Sequence, residues 1–141
     1  MGTQPVLRVA VAGASGRMGR MLIEAVLGSG DCTLSAALDV AGSPALGQDA
    51  AAFLGRPCGV TIAADVNAAA AVSDVLIDFT RPEGTLAHLQ ACRAHGTRMV
   101  IGTTGFSESQ KQAIAEHAAH IGIVMSPNMA VGVNVVLRLL D

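Results

Sequence analysis

Three glycines lie at regular spacing near the start of the chain, in the segment VAGASGRMG at residues 11–19. A turn without side chains lets backbone N–H groups approach an anion, and the N-terminus of a following helix adds roughly half a positive charge. The segment follows an apolar strand candidate and opens a helical pattern, which is the context that a dinucleotide fingerprint requires. We therefore predict that this turn binds a pyrophosphate. The residues predicted to contact it are Gly13, Ala14, Ser15, Gly16, Arg17 and Met18.

A carboxylate supports this interpretation, because the pattern G-x-x-G-x-x-G is one residue longer than the usual fingerprint and is weak by itself. Asp39 follows a second strand candidate at residues 33–38 and stands 20 residues after Gly19. In a Rossmann unit, a carboxylate at this position accepts hydrogen bonds from the hydroxyls of the adenosine ribose. The alternative is that Asp39 is an ordinary turn residue.

The residue after Asp39 bears on the choice of cofactor. Val40 stands there, and no arginine follows to offset the repulsion between a carboxylate and the 2′-phosphate of NADP. Arg17 in the glycine turn is the cation that could still reach this phosphate. We therefore expect NADH to be preferred to NADPH, or at least to bind as well.

Short apolar segments alternate with longer helical ones along the chain. The pattern predicts strands at residues 7–12, 33–38, 75–79, 99–101 and 122–125, and a long loop with one helical turn at most at residues 40–59. Strands separated by helices at this spacing indicate βαβ units. The predicted fold class is α/β, a Rossmann-type doubly wound parallel sheet.

Capping residues and apolar spacing predict where the helices lie. The first helix ends at the glycines of residues 28–30. Its predicted apolar face consists of Met18, Met21, Leu22, Ala25 and Val26. Thr80 and Glu83 form a candidate capping box with Pro82 in the first turn of a helix that closes before residue 96, and Ser107 with Gln110 marks another helix start.

Length and composition restrict what the chain binds. Its 141 residues suffice for one domain, and with three Phe and no Trp or Tyr the core must consist of aliphatic side chains and Met. The nine Lys and Arg are scattered and the net charge is −2, which argues against nucleic acid as a partner. No apolar run reaches the ~18 residues of a membrane-spanning helix. The three cysteines form no CxxC pair, which predicts reduced thiols in a soluble cytoplasmic protein.

Three further polar loops follow predicted strands. They read DFTRPEG at residues 78–84, GTTGF at residues 102–106 and SPNM at residues 126–129. Because ligands bind at the carboxyl ends of strands in open parallel sheets, we expect these loops to face the same cleft as the glycine turn. Each loop also has a purely structural explanation, since Thr80 can cap a helix and Pro127 with Asn128 is ordinary turn chemistry.

Together with the glycine turn, these strings resemble the 4-hydroxy-tetrahydrodipicolinate reductase family, also known as dihydrodipicolinate reductase, of the bacterial diaminopimelate and lysine pathway. The likeness is carried by residues 9–20, 77–86, 99–106 and 126–136, which span nearly the whole chain. The resemblance implies an NAD(P)H-dependent oxidoreductase that reduces 4-hydroxy-tetrahydrodipicolinate to tetrahydrodipicolinate, with this chain as its cofactor-binding half.

The resemblance also implies roles for residues at five strand ends. Gly13, Arg17 and Met18 would hold the pyrophosphate and Asp39 the adenosine ribose. The remaining implied contacts are Phe79 and Thr80 on the floor of the cleft, Gly102, Thr103 and Thr104 at the nicotinamide end, and Ser126, Pro127, Asn128 and Met129 around the carboxamide. Thr104 would also lie near the substrate. Ser126 and Met129 depart from the Ala or Phe that family members often carry in this loop.

The catalytic groups of the family are expected outside this chain, so that the fragment alone is inactive. The resemblance implies a second, α+β catalytic domain with a histidine-rich loop and a lysine, and none of the four histidines here fits that loop. We therefore predict a dinucleotide-binding domain at residues 1–130 and the start of a linker helix at residues 131–141. The implied partners are a small dicarboxylate substrate and, for the full-length protein, further copies in a homotetramer. His117 and His120 share a predicted helix face but lack a third ligand, so no metal site is predicted.

Two alternatives remain open at this point. One is another dehydrogenase of an amino-acid pathway, such as a homoserine or aspartate-semialdehyde enzyme. The latter needs a nucleophilic cysteine, and Cys92, which lies in the middle of a predicted helix, is a poor candidate. The other is a non-catalytic NAD-binding regulatory module that is complete at this length.

Overall fold

The computed structural model describes residues 6–125, which form a parallel sheet with helices on both faces. The strands of this part of the chain are β1 (Leu7–Ala12), β2 (Cys32–Leu38), β3 (Ile62–Ala63), β4 (Val75–Asp78), β5 (Arg98–Ile101) and β6 (Ile123–Met125). They lie in the order β3-β2-β1-β4-β5-β6, and each neighbouring pair is parallel. The strand order reverses between β1 and β4, so a crevice opens there at the carboxyl ends.

The helices cover the two faces of this sheet unequally. They are α1 (Arg17–Leu27), α2 (Val66–Ala71), α3 (Pro82–His95) and α4 (Glu108–Ala118). α1 packs on the face that carries Val9 and Val11, while the other three pack on the face that carries Ala10 and Ala12. Because successive strand residues point to opposite faces, all four of these β1 residues are buried. This arrangement confirms the predicted Rossmann-type doubly wound sheet.

The predicted apolar face of α1 is wrong at one position and incomplete at another. Met21 is 52% exposed, whereas Ile23, which the prediction omitted, is fully buried beside Leu22 and Val26. The reason is that Gly19 packs against the turn that precedes the helix. With Gly19 in this orientation, residues 22, 23 and 26 face the core.

The two predicted capping boxes have different outcomes. Ser107 caps α4 as predicted: its hydroxyl accepts a hydrogen bond from the Gln110 N–H at 3.2 Å, and the Gln110 side chain accepts one from the Ser107 N–H at 2.8 Å. The box predicted from Thr80 is wrong, because Arg81 is the N-cap of α3 and makes no side-chain cap. The Thr80 hydroxyl instead donates to Asp78, a buried carboxylate that needs donors more than the helix end does.

The sequence predicted no element between residues 60 and 74, where the structure has β3 and α2. β3 is only two residues long, and α2 is mostly alanine, so neither has a periodic apolar pattern. The Asp65 side chain accepts a hydrogen bond from the Ala68 N–H at 3.1 Å and caps α2. A capping residue followed by strong helix formers was therefore the usable signal.

The loop at residues 40–59 is organised around the carboxylate of Asp49, and its single helical turn is the 3₁₀ segment Ala52–Leu54. Asp49 accepts hydrogen bonds from the N–H groups of Cys58 at 3.0 Å, Ala51 at 2.8 Å and Gly59 at 2.9 Å. These backbone hydrogen bonds lower the pKa of Asp49 to about 2. The predicted long loop is confirmed, and one charged side chain determines much of its path.

This carboxylate makes the stability of the fold depend on pH. Its pKa is lower in the folded state than in an unfolded chain (about 3.9), so its contribution is complete above about pH 4 and is lost as the pH falls towards 2. We expect Asp49→Asn to lower the Tm near neutral pH, and the difference from the wild type to narrow between about pH 4 and pH 2. Thermal unfolding followed by circular dichroism at a series of pH values measures this. Glu24→Gln, an exposed position on α1, is the control, and a Tm difference that stays constant over the whole series would contradict the prediction.

Candidate functional site

The glycine turn lies at the carboxyl end of β1 and leads directly into α1. Gly13 has a φ of +76°, in the left-handed region that favours glycine. A side chain on Gly19 would place its Cβ 2.0 Å from the Gly13 carbonyl oxygen, so α1 packs against the turn itself. The Ala14 N–H donates to the Leu38 carbonyl at 2.9 Å, and the Gly16 N–H donates to the Gly13 carbonyl at 3.0 Å. The predicted strand–turn–helix context is confirmed.

The first turn of α1 presents backbone N–H groups to the crevice. Gly16 is the N-cap and has no side chain to cap these groups. The first N–H groups of a helix have no acceptor within the helix, and no residue among those the structure describes accepts from Arg17 or Met18. Gly16 and Arg17 are also exposed. An anion placed here would meet both these donors and the positive end of the helix dipole.

Asp39 connects the end of β2 to the glycine turn. The Ser15 hydroxyl donates to its Oδ2, and the Val40 N–H donates to its Oδ1 at 2.8 Å. Partial burial raises the pKa of Asp39, but the hydrogen bonds from Ser15 and Val40 outweigh this effect, and the pKa lies below its usual value. The structure therefore brings two of the predicted site residues into contact and keeps the carboxylate charged at neutral pH.

Thr80 faces Gly13 where the strand order reverses. The last residues of β1 and β4, Ala12 and Asp78, are paired in the sheet, so the loops that follow them meet. A Cβ on Gly13 would lie 3.2 Å from Cγ2 of Thr80. The glycine turn and the loop after β4 thus line one crevice.

The ring of Phe79 lies directly on the backbone of Gly102, at the end of β5. A Cβ on Gly102 would lie 2.0 Å from Cε1 and 2.4 Å from Cζ of this ring. The Gly102 N–H also donates to the carbonyl of Asp78 at 2.8 Å. The ring forms a half-buried apolar surface beside the β5 loop, and Thr104 is exposed two residues farther along.

A buried polar cluster lies beneath these loops, and we name it the Asp78 cluster. Asp78 is fully buried, and its Oδ1 accepts hydrogen bonds from the N–H of Thr80 at 2.9 Å and from its hydroxyl at 2.5 Å. The other oxygen, Oδ2, lies 2.6 Å from Nδ1 of His88. The Thr103 hydroxyl accepts hydrogen bonds from the Thr80 N–H at 3.1 Å and the Thr85 hydroxyl at 2.9 Å. Asp78, Thr80, Thr85, His88 and Thr103 form the cluster.

Three members of this cluster were not predicted from the sequence: Asp78, Thr85 and His88. An aspartate at the end of an otherwise apolar strand was the available signal, since a buried carboxylate must find donors. Thr103 was predicted to face a ligand, but its side chain is buried and engaged in the cluster, which leaves its backbone for the crevice. Ala14 is likewise buried. The predicted residues 126–129 and the helix predicted at 131–141 lie outside the described residues.

The cysteines and histidines of the described residues do not assemble a second site. Cys32, Cys58 and Cys92 are free thiols, and burial raises the pKa of Cys92 to about 12, which removes it as a nucleophile. α4 ends at residue 118, so the helix face predicted to be shared by His117 and His120 is wrong. Residues 6–125 contain no cluster of three or more possible metal ligands. No helix within the same range is long and apolar enough to span a membrane.

The sequence matches the family model described as "Dihydrodipicolinate reductase, N-terminus" over residues 7–129. The chain belongs to the dihydrodipicolinate reductase family. Among its relatives is the 4-hydroxy-tetrahydrodipicolinate reductase of Herminiimonas arsenicoxydans, 61% identical over 135 residues, which covers 96% of this chain and 50% of the relative. The enzyme of the same name from Bordetella pertussis is 63% identical over 134 residues, or 95% of this chain and 49% of the relative.

A solved structure agrees with this assignment. The dipicolinate-bound dihydrodipicolinate reductase of Paenisporosarcina sp. TG-14 superimposes with a TM-score of 0.71 at 27% identity, over 90% of this chain and 49% of that one. The chain thus spans about half the length of the dihydrodipicolinate reductases that it matches.

The contact between Phe79 and Gly102 yields a prediction about packing. We expect Gly102→Ala to lower the free energy of unfolding by about 1–3 kcal/mol, because the new methyl group displaces the ring from the end of β5. In a Phe79→Ala background the same substitution has no ring to displace, and its cost should be much smaller. Urea denaturation of the two single variants and the double variant measures the coupling. Additive costs would show that the ring does not constrain Gly102.

Proposed function

We propose that this chain is the cofactor-binding half of a 4-hydroxy-tetrahydrodipicolinate reductase. The complete enzyme would reduce 4-hydroxy-tetrahydrodipicolinate to tetrahydrodipicolinate with NADH or NADPH, in the cytoplasm, as a step of diaminopimelate and lysine biosynthesis. Family membership and the names of the relatives support this reaction. The observation that carries the proposal is the crevice itself, where the glycine turn leads into the N-terminus of α1 and Ser15 of that turn donates a hydrogen bond to a charged Asp39.

The residues of the crevice fit the adenosine diphosphate part of the cofactor. The N–H groups of Arg17 and Met18 would donate to the pyrophosphate, and the absence of a side chain at Gly13 keeps the approach open. Asp39 would accept hydrogen bonds from the ribose hydroxyls, held in place by Ser15. Because this carboxylate is charged and Val40 offers no compensating cation, we propose that NADH binds at least as well as NADPH.

The loops after β4 and β5 fit the nicotinamide part. Phe79 and Thr80 would form the floor, and the backbone of Gly102 and Thr103 would border the ring together with residues 126–129. When bound, the nicotinamide supplies the hydride, and the protein orients it and excludes water. Thr104 is exposed at this edge, where it would meet the substrate.

The remaining parts of the reaction are assigned to a second domain. We propose that residues 1–130 form the dinucleotide-binding domain and that residues 131–141 begin a linker helix into an α+β catalytic domain. That domain would supply the histidine and lysine chemistry, recognise the dicarboxylate substrate and close over Thr104. It would also provide the main contacts of a homotetramer. This chain would then contribute cofactor binding and no catalytic acid or base.

Calorimetric titration of the chain with NADH and NADPH tests the proposal. We expect NADH to bind, and Asp39→Ala to weaken its affinity by about tenfold, because charge-assisted hydrogen bonds to the ribose are lost. The same variant should weaken NADPH less, since it also removes the repulsion of the 2′-phosphate.

Asp31→Ala is a matched control, because Asp31 is an exposed aspartate immediately before β2. It therefore lies at the amino ends of the strands, on the side of the sheet away from the crevice. It should leave both affinities unchanged. An affinity for NADPH tenfold above that for NADH would overturn the proposed cofactor preference. A folded chain that binds neither nucleotide would count against the assignment of the crevice.

A further inference from the structure

Asp78 is a fully buried carboxylate at the carboxyl end of β4. A carboxylate removed from water is costly unless donors surround it, and here the donors come from three separate parts of the fold. Thr80 belongs to the loop after β4, His88 to the second turn of α3, and Thr103 to the loop after β5. One side chain therefore connects the two loops that border the crevice to the helix behind them.

The geometry of the cluster controls the floor of the crevice. Thr80 directly follows Phe79, and Thr103 directly follows Gly102. Each of these two threonines is therefore adjacent to one of the two residues in the contact between the Phe79 ring and Gly102. The Thr80 N–H lies 2.9 Å from Asp78 Oδ1 and 3.1 Å from the Thr103 hydroxyl. These bonds set the separation of the two loops, and with it the position of the Phe79 ring.

Capping of α3 does not explain this arrangement. The helix has its own start, with Arg81 as N-cap and Pro82 in the first turn. Thr103 lies in a different loop, and His88 lies in the second turn, where its N–H has an acceptor within the helix. A cluster that only capped the N-terminus of α3 would need neither of these side chains.

We infer that Asp78 and His88 are positioning residues for the nicotinamide half of the cofactor. They touch no ligand themselves; they hold the loops after β4 and β5 in the relative position that the nicotinamide and its ribose require. The inference rests on the proposed function and adds that two separate groups of residues determine affinity for the two halves of the cofactor. The glycine turn and Asp39 determine affinity for the adenosine diphosphate half, and the Asp78 cluster determines the additional affinity for the nicotinamide half.

Comparison of two ligands separates this role from a general structural one. NADH contains both halves of the cofactor, whereas ADP lacks the nicotinamide and its ribose. In the full-length gene product we expect His88→Leu to weaken NADH binding about tenfold and ADP binding less than about twofold, as for the loss of one charge-assisted hydrogen bond. His88→Asn should restore most of the NADH affinity, because its amide can donate to Asp78 from nearly the same place as Nδ1. Titrations are made well below the Tm of each variant, and circular dichroism confirms that it is folded.

Asp74→Asn is the matched control, because Asp74 precedes β4 and forms an ion pair with Arg8 at 2.9 Å at the opposite edge of the sheet. It should change the Tm and leave the ratio of the two affinities unaltered. If His88→Leu weakens both ligands equally, or neither, or if His88→Asn does not restore NADH, the positioning role is wrong. A wild-type protein that binds ADP and NADH equally also overturns this inference while leaving the adenosine half intact. A wild-type protein that binds neither overturns the proposed function itself.

Discussion

The close approach of α1 to the end of β1 is the constraint on which the rest of the crevice depends. A Cβ on Gly19 would overlap the carbonyl oxygen of Gly13, so the helix reaches this position only because that atom is missing. With the helix in place, its N-terminus points along the crevice, and Ser15 comes within reach of Asp39. The same approach turns Ile23 into the core. Displacement of the helix by the thickness of one methyl group would disturb all of these contacts together.

Most of the sheet could be predicted because most strands are local apolar segments, and the central strands β1, β4 and β5 are largely buried. The strands that sequence reasoning placed are those with four or more apolar residues or a glycine boundary, and the one that it missed is the two-residue β3. Local capping chemistry was also sufficient where nothing competed with it, as at Ser107 and Gln110. It failed at Thr80, because the Asp78 carboxylate, brought close by β4, takes the hydroxyl that would otherwise cap the helix.

The candidate site likewise has one part that could be predicted from the sequence and one part that could not. The glycine turn and Asp39 are recognisable from spacing alone, since their chemistry depends on short segments of chain and a known strand order. The Asp78 cluster was not recognised, because Thr85 and His88 acquire their partners only when α3 packs beside the ends of two strands. In a chain with few aromatic residues, carboxylates such as Asp78 and Asp49 fix the loops through their hydrogen bonds, and a pattern of apolar residues does not reveal them.

Gly16 and Gly19 are under different structural constraints, and this difference has a consequence for how the turn would evolve. Gly19 is required by the packing of the helix whether or not a nucleotide binds, whereas Gly16 is exposed and a Cβ there would meet only the Gly13 carbonyl oxygen, at an ordinary contact distance of 3.4 Å. Selection on the fold alone would therefore retain the third glycine and release the second. A descendant of this domain that had abandoned its nucleotide would keep glycine at position 19 and accumulate substitutions at position 16. The middle glycine, not the last, is the one from which loss of binding could be recognised in a sequence.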